Sequence, residues 1–137
     1  MYRSKKPFDP KRFWEYIQVE FPSTVIRSKG LFWLASRPAQ AMVWGQAGGS
    51  LRTDSAGMWW SSMPYGDRIR YVAFVENQKE IESDWHATFG DRKNEIVFIG
   101  QDMEEALIRK QLDACSATEE ELAAGAWQKG YPDEWPV

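Results

Sequence analysis

Glu80, Asp84 and His86, in the stretch EIESDWH, are the residues whose types and spacing come nearest to a metal site. Two carboxylates and an imidazole near a helix end can meet around one divalent ion, because carboxylate oxygen and neutral imidazole nitrogen are both donors to zinc-class metals. The trio lacks the repeated His or Cys spacing of a dedicated zinc site, and the helix dipole alone favours a histidine at a helix C-terminus. These residues are therefore read as a solvated helix end. A stand-alone small metal carrier built on Glu80, Asp84 and His86 is the alternative. His86 is the only histidine, so a catalytic triad has to use it, and no nucleophile elbow or Cys-His signature accompanies it. Cys115 falls on the apolar face of a predicted helix, where a free thiol packs as a small hydrophobe. No catalytic residue presents itself.

Two glycine-bearing stretches raise the question of phosphate. GQAGGS, residues 45–50, has the glycines of a phosphate loop but neither its lysine nor a following helix, and Gly-Gly between strands signals a hairpin turn. RSKG, residues 27–30, can grip an anion through Arg27 and Lys29, yet a Lys-Gly turn between two strands accounts for the same letters. RSKGLFWLASRP is read as a hairpin that displays Arg27 and Lys29 at one end and feeds Phe32 or Trp33 into the core.

The elements that position these residues follow from texture. Asp9 and Pro10 open a helix whose apolar positions are Phe13, Trp14, Ile17 and Phe21, and Pro22 stops it. Residues 24–63 break into short β-rich runs, TVIRS, LFWLAS, AMVWGQ, SLRT and GMWWSSM, separated by turn formers. RIRYVAFVENQKEIESDW is predicted as a helix, with Ile69, Val72, Val75 or Glu76, Ile81 and Trp85 at helical spacing. NEIVFIG is a strand, and Asp102 with Glu105 forms a capping box for a helix burying Leu107, Ile108, Leu112 and Cys115. Thr118 and Glu121 form a second box before a short turn ended by Gly125, and the tail WQKGYPDEWPV is extended. The order predicts an α+β fold, with a mainly antiparallel sheet of about five or six strands and helices packed on one face.

Totals narrow the field further. A chain of 137 residues with 43% hydrophobic content makes one domain, residues 1–137. Lys plus Arg number 17 against 20 for Asp plus Glu, a net charge of -3, so no general attraction to nucleic acid or an anionic membrane is expected. Apolar runs stay far below the roughly 20 residues a spanning helix needs. One cysteine permits no intramolecular disulfide, which fits a reducing, cytoplasmic setting. Eight tryptophans are the unusual feature. Trp59 and Trp60 are adjacent, so in a regular strand one of them faces outward. A sheet bearing Trp33, Trp44, Trp59 and Trp60 offers amphipathic area suited to a protein interface, with burial in the core as the competing reading.

RSKGLFWLASRP, WGQAGGS, GMWWSSMP and GDRKNEIVFIGQDMEEALIRKQLDAC, in this order, resemble the C-terminal domain of CobW-type P-loop GTPases, and KPFDPKRFWEYI resembles its start. The resemblance runs from about Lys6 to Trp127. It implies a partner GTPase domain in cis or trans, a metal-dependent client protein, a possible homo-oligomer, and a role in metal delivery in the cytoplasm, with zinc or cobalt as cargo. GTP and Mg are implied for a full-length parent. The family's Gly-Lys-Ser/Thr loop, Cys-x-Cys-Cys motif and Asn-Lys-x-Asp guanine reader are absent from this sequence, so none of its catalytic or metal residues transfers to a position here. The expectation is a non-catalytic interaction or regulatory module, either the back half of such a protein or a free-standing copy, with Arg27, Lys29, Trp33, Trp44, Trp59 and Trp60 as partner-contact candidates.

Overall fold

The computed structural model describes residues 1–123 and Trp135. Five strands, β1 (Tyr2–Ser4), β2 (Val25–Phe32), β3 (Gln40–Ala47), β4 (Ser50–Met58) and β5 (Asn94–Gly100), form one sheet in the order β1-β5-β2-β3-β4. Every neighbouring pair is antiparallel. The helices are α1 (Pro10–Glu15), continued by a π-helical turn over Tyr16–Glu20, then α2 (Tyr65–Arg68), α3 (Val72–Ser83), α4 (Glu105–Ala114) and α5 (Glu119–Ala123). This is the α+β arrangement that the pattern predicts.

The larger of two buried clusters lies on one side of the sheet, and a smaller one gathers Trp33, Ala41, Trp59 and Phe89 with Leu122 of α5 against it. Phe32, Met42, Trp44 and Ile96 face inward and meet Phe13 of α1 and Ile108 and Leu112 of α4. Asp9 nucleates α1 as its sequence suggests: one side-chain oxygen accepts the N–H groups of Lys11 at 2.9 Å and Arg12 at 3.1 Å, satisfying donors the first turn leaves orphaned. Phe13 then stacks on Phe8 at 4.0 Å between ring centroids and on Trp44 at 5.5 Å. Gly48, at φ 59°, and Gly49 turn β3 into β4, so GQAGGS is a hairpin turn. Thr118 and Glu121 form the reciprocal capping box, each backbone N–H donating to the other's side chain at 3.0 and 3.1 Å.

Several expectations give way. RSKG is no turn: β2 runs unbroken from Val25 to Phe32, and Gly30 lies within it because the β5 backbone presses close. A Cβ on Gly30 would stand 1.9 Å from the Glu95 carbonyl oxygen. LFWLAS is therefore not a separate strand, and Trp33, Leu34 and Ala35 lie past its end. SLRT and the start of GMWWSSM belong to one strand, β4, after which Trp60–Ser62 form a 3-10 turn. The N-terminal strand β1 was not expected.

The long helix is broken at Ile69–Tyr71, where Tyr71 is extended (φ -97°, ψ 123°) and resets the helical phase. Phe74, rather than Val72 or Val75, is the buried residue of α3. Asp102 caps nothing. It occupies the left-handed region at φ 56°, and Glu104 takes the cap position of α4 without a side-chain bond. Ile108, Leu112 and Cys115 are buried as predicted, while Leu107 is exposed. Gly125 and most of the tail lie outside the described residues. Among the described residues, no helix is long and apolar enough to cross a membrane.

Candidate functional site

The opposite face of the sheet points away from the cluster that Phe13 of α1 and Ile108 and Leu112 of α4 join. Strand alternation aims Leu31, Val43, Val97 and Ile99 outward there, and Val43, Val97 and Ile99 are exposed. Cross-strand register sets the rest of this face. Lys29 pairs with Val97 on one side and Gly45 on the other, and Gly45 pairs in turn with Arg52. Arg27 stands between Ile99 and Ala47, and Leu31 stands between Glu95 and Val43. Glu95 is engaged by Lys93 at 3.3 Å. Arg27, Lys29 and Arg52 form no ion pair among the described residues. The face is thus an aliphatic strip beside the cations Arg27, Lys29 and Arg52, and it also carries the carboxylates of Glu95, opposite Leu31, and Asp54, opposite Val43.

The predicted metal trio does not assemble. His86 Nδ1 accepts the backbone N–H groups of Thr88 and Phe89 at 3.0 and 3.1 Å, and its ring stacks on Phe89. The lone pair that would bind a metal is therefore closing a turn. Asp84 accepts from the Lys5 ammonium at 2.7 Å, and that hydrogen bond holds its carboxyl below the usual carboxylate range. Among the described residues, no three His, Cys, Asp or Glu side chains stand where they can hold a metal ion. Glu80 lies within α3 and Asp84 caps its end, while His86 lies past it in a turn bridged to Gly90.

Of the aromatic contact candidates, Trp33, Trp44 and Trp59 are buried in the chain's own core and expose no area for a partner. Trp44 donates to Ser28 Oγ at 2.8 Å, and Trp33 donates through Nε1 to the Lys5 carbonyl at 3.1 Å. Trp60 is half-buried, with its ring 5.1 Å from Phe74 and 5.7 Å from Tyr71. Arg27 and Lys29 do face out, from the middle of a strand and not from a turn. A cavity of about 640 Å³ lies between the end of α1 and the β3-β4 turn and is walled by Trp14, Phe21, Trp44 and Leu51. Among the described residues its lining is apolar and neutral polar, with Gln18, Ser23, Gln46 and Ser50 as the polar members.

Residues 1–116 match the family described as cobalamin synthesis protein cobW C-terminal domain. The chain belongs to the CobW C-terminal domain family. Among curated relatives, the Dictyostelium discoideum zinc-regulated GTPase metalloprotein activator 1 is 33% identical over 91% of this chain and 26% of its own length. The Mycobacterium tuberculosis zinc chaperone Rv0106 is 30% identical over 96% of this chain and 32% of its own length. This chain therefore spans about a third or less of those relatives. The Zn(II)-bound YjiA GTPase from E. coli shares the fold with a TM-score of 0.53 at 16% identity, covering 84% of this chain and 28% of that one.

In this CobW C-terminal domain, GDRKNE, part of a motif that carries the family resemblance, is a structural clasp whose residue roles the letters do not show. Gly90 sits at φ 66°, and a Cβ there would stand 2.3 Å from the Ser61 Cβ. Asp91 accepts the backbone N–H groups of Trp60 and Ser61 at 2.8 and 2.9 Å, capping the 3-10 turn. Arg92 is buried, donates to the carbonyls of Pro38 and Phe89, and lies over the Trp33 ring at 5.6 Å. Its partners are remote in sequence, and the only local signal is an unusually polar run leading into a buried strand.

Proposed function

We propose that this chain is a non-catalytic interaction domain of a CobW-type, GTP-dependent metallochaperone that handles zinc or cobalt. It makes contact with the GTPase half, a second subunit or a client protein. The observation that carries this reading is the sheet face on which Leu31, Val43, Val97 and Ile99 turn outward beside Arg27, Lys29 and Arg52. Aliphatic area rimmed by charge is the composition of a protein contact surface. The names of two relatives, a zinc-regulated GTPase metalloprotein activator and a zinc chaperone, support the metallochaperone setting. GTP and Mg then bind the parent's GTPase half, in cis or in trans, and the metal is its cargo. The free, buried Cys115 fits a reducing cytoplasm.

The test is a titration of the methyl-labelled chain with a CobW-type GTPase domain added in trans. The expected result is movement of the Leu31, Val43, Val97 and Ile99 methyl signals, with no GTP hydrolysis by the chain alone. Turnover by the isolated chain, or methyl signals that stay fixed at saturating GTPase domain, overturns the reading.

A further inference from the structure

Two glycines of the sheet invite comparison. Gly30 is required by its own molecule, since any Cβ would meet the β5 backbone at 1.9 Å. Gly45 is not. It lies in the middle of β3, which is hydrogen-bonded on both sides; its φ is not positive, and a Cβ would meet only the Arg52 carbonyl oxygen at an ordinary 3.7 Å. A glycine within a strand weakens it, and where the fold does not require one it marks a place where another backbone or ligand approaches.

The setting of Gly45 says what approaches. Its side-chain position opens on the face turned away from the Phe13–Phe32–Trp44 core, between Val43 and Ala47 along β3 and between Lys29 and Arg52 across the sheet. The row Lys29, Gly45, Arg52 is thus a trough with a cation on each wall and no side chain on its floor; the adjoining row holds the carboxylates of Asp54, opposite Val43, and Glu95, opposite Leu31, against the three cations Arg27, Lys29 and Arg52. Neither cation has an ion-pair partner among the described residues. Arg27 lies beside the same trough, paired with Ala47, on a protein whose net charge is -3. The aliphatic strip of Leu31, Val43, Val97 and Ile99 adjoins it.

Resting on the interaction-domain reading, we infer that this face receives an acidic, amphipathic protein segment whose carboxylate lies over Gly45 between Lys29 and Arg52. Its apolar side chains cover the aliphatic strip. Charge complementarity favours a carboxylate on the partner and sets the register of docking. Single-stranded nucleic acid is the poorer occupant. Sheets that read it present aromatic rings for base stacking, and the outward positions of β2, β3 and β5 carry aliphatic and charged groups with no aromatic ring among them.

The experiment uses two soluble peptides, one of alternating Leu and Glu and the other its Leu and Lys counterpart, titrated into the chain and followed by amide shifts and fluorescence anisotropy. The Leu/Glu peptide is expected to bind and to shift Lys29, Gly45 and Arg52, and the Leu/Lys peptide is not. The double variant Lys29→Glu, Arg52→Glu is expected to weaken binding by about tenfold or more. Gly45→Val fills the trough without changing charge and is expected to weaken binding comparably, with no loss of thermal midpoint; Gly45→Ala is the milder check should valine disturb folding. Equal binding of both peptides, full binding by Gly45→Val and Gly45→Ala, or stronger binding of an oligouridylate at the same amides overturns the inference. A GTPase domain that moves the aliphatic methyl signals but leaves the Lys29, Gly45 and Arg52 amides fixed overturns it too, while the interaction-domain reading stands.

Discussion

The Asn94 carboxamide oxygen accepts the backbone N–H of Trp33 at 2.9 Å, joining the start of β5 to the chain just past the end of β2. Asn94 is only 1% exposed, and its amide nitrogen donates to the Lys6 carbonyl at 2.6 Å. One side chain thus satisfies buried backbone groups on two segments. Replacing it with Leu leaves both groups desolvated and unpaired, at about 1–3 kcal/mol for each. Asn94→Leu is expected to lower unfolding free energy by about 2–5 kcal/mol in urea denaturation, and Asn94→Asp by less. A variant as stable as the parent shows that water satisfies those groups.

The contrast between Gly30 and Gly45 extends to stability. Gly30→Ala forces a Cβ to 1.9 Å from the Glu95 carbonyl oxygen, so β2 and β5 must separate. A loss of about 3 kcal/mol or failure to fold is expected. Gly45→Ala is expected to be neutral or stabilising by up to about 1 kcal/mol. Thermal melts of the two variants in parallel check this, and equal damage at both sites defeats it.

Asp91 holds the 3-10 turn that follows β4 through the N–H groups of Trp60 and Ser61. Asp91→Ala is expected to cost about 1–2 kcal/mol, the range of a lost cap. It should also raise hydrogen exchange at Trp60 and Ser61 first. Exchange that rises uniformly through the sheet instead assigns Asp91 a global role.

Cys115 is buried, with its thiol against the Gln111 and Arg12 carbonyl oxygens. Burial chiefly, and the Glu20 and Asp9 carboxylates after it, push its pKa up to about 11. The folded protein keeps this proton above the usual thiol pKa of 9.0, where the unfolded chain loses it. Stability is therefore expected to fall as pH rises from about 9 toward 11, with the full contribution present below 9. A thiol reagent at pH 8 should label the chain only on unfolding. Rapid labelling of the native protein contradicts the burial.

What the sequence determined by itself is whatever short-range hydrogen bonding and local shape decide. Asp9 and Pro10 begin α1, Thr118 and Glu121 begin α5, Gly48 and Gly49 make a turn, and NEIVFIG is a strand, because each signal acts within a few residues. The α+β class and the family motifs were legible for the same reason. Asp102 was misread because a left-handed residue ahead of α4 carries the letters of a cap.

Tertiary structure alone decided which glycine is a close approach and which an open trough, since Gly30 and Gly45 differ only in what lies across the strand. It also decided that Trp33, Trp44 and Trp59 are core, that Asn94 reaches a partner 61 residues away, and that Lys29 and Arg52 flank one glycine. Side chains alternate with a period of two along a strand, so the face each residue meets depends on register with strands remote in sequence. That register is set by the packed core on the other side of the sheet and by no local pattern of letters.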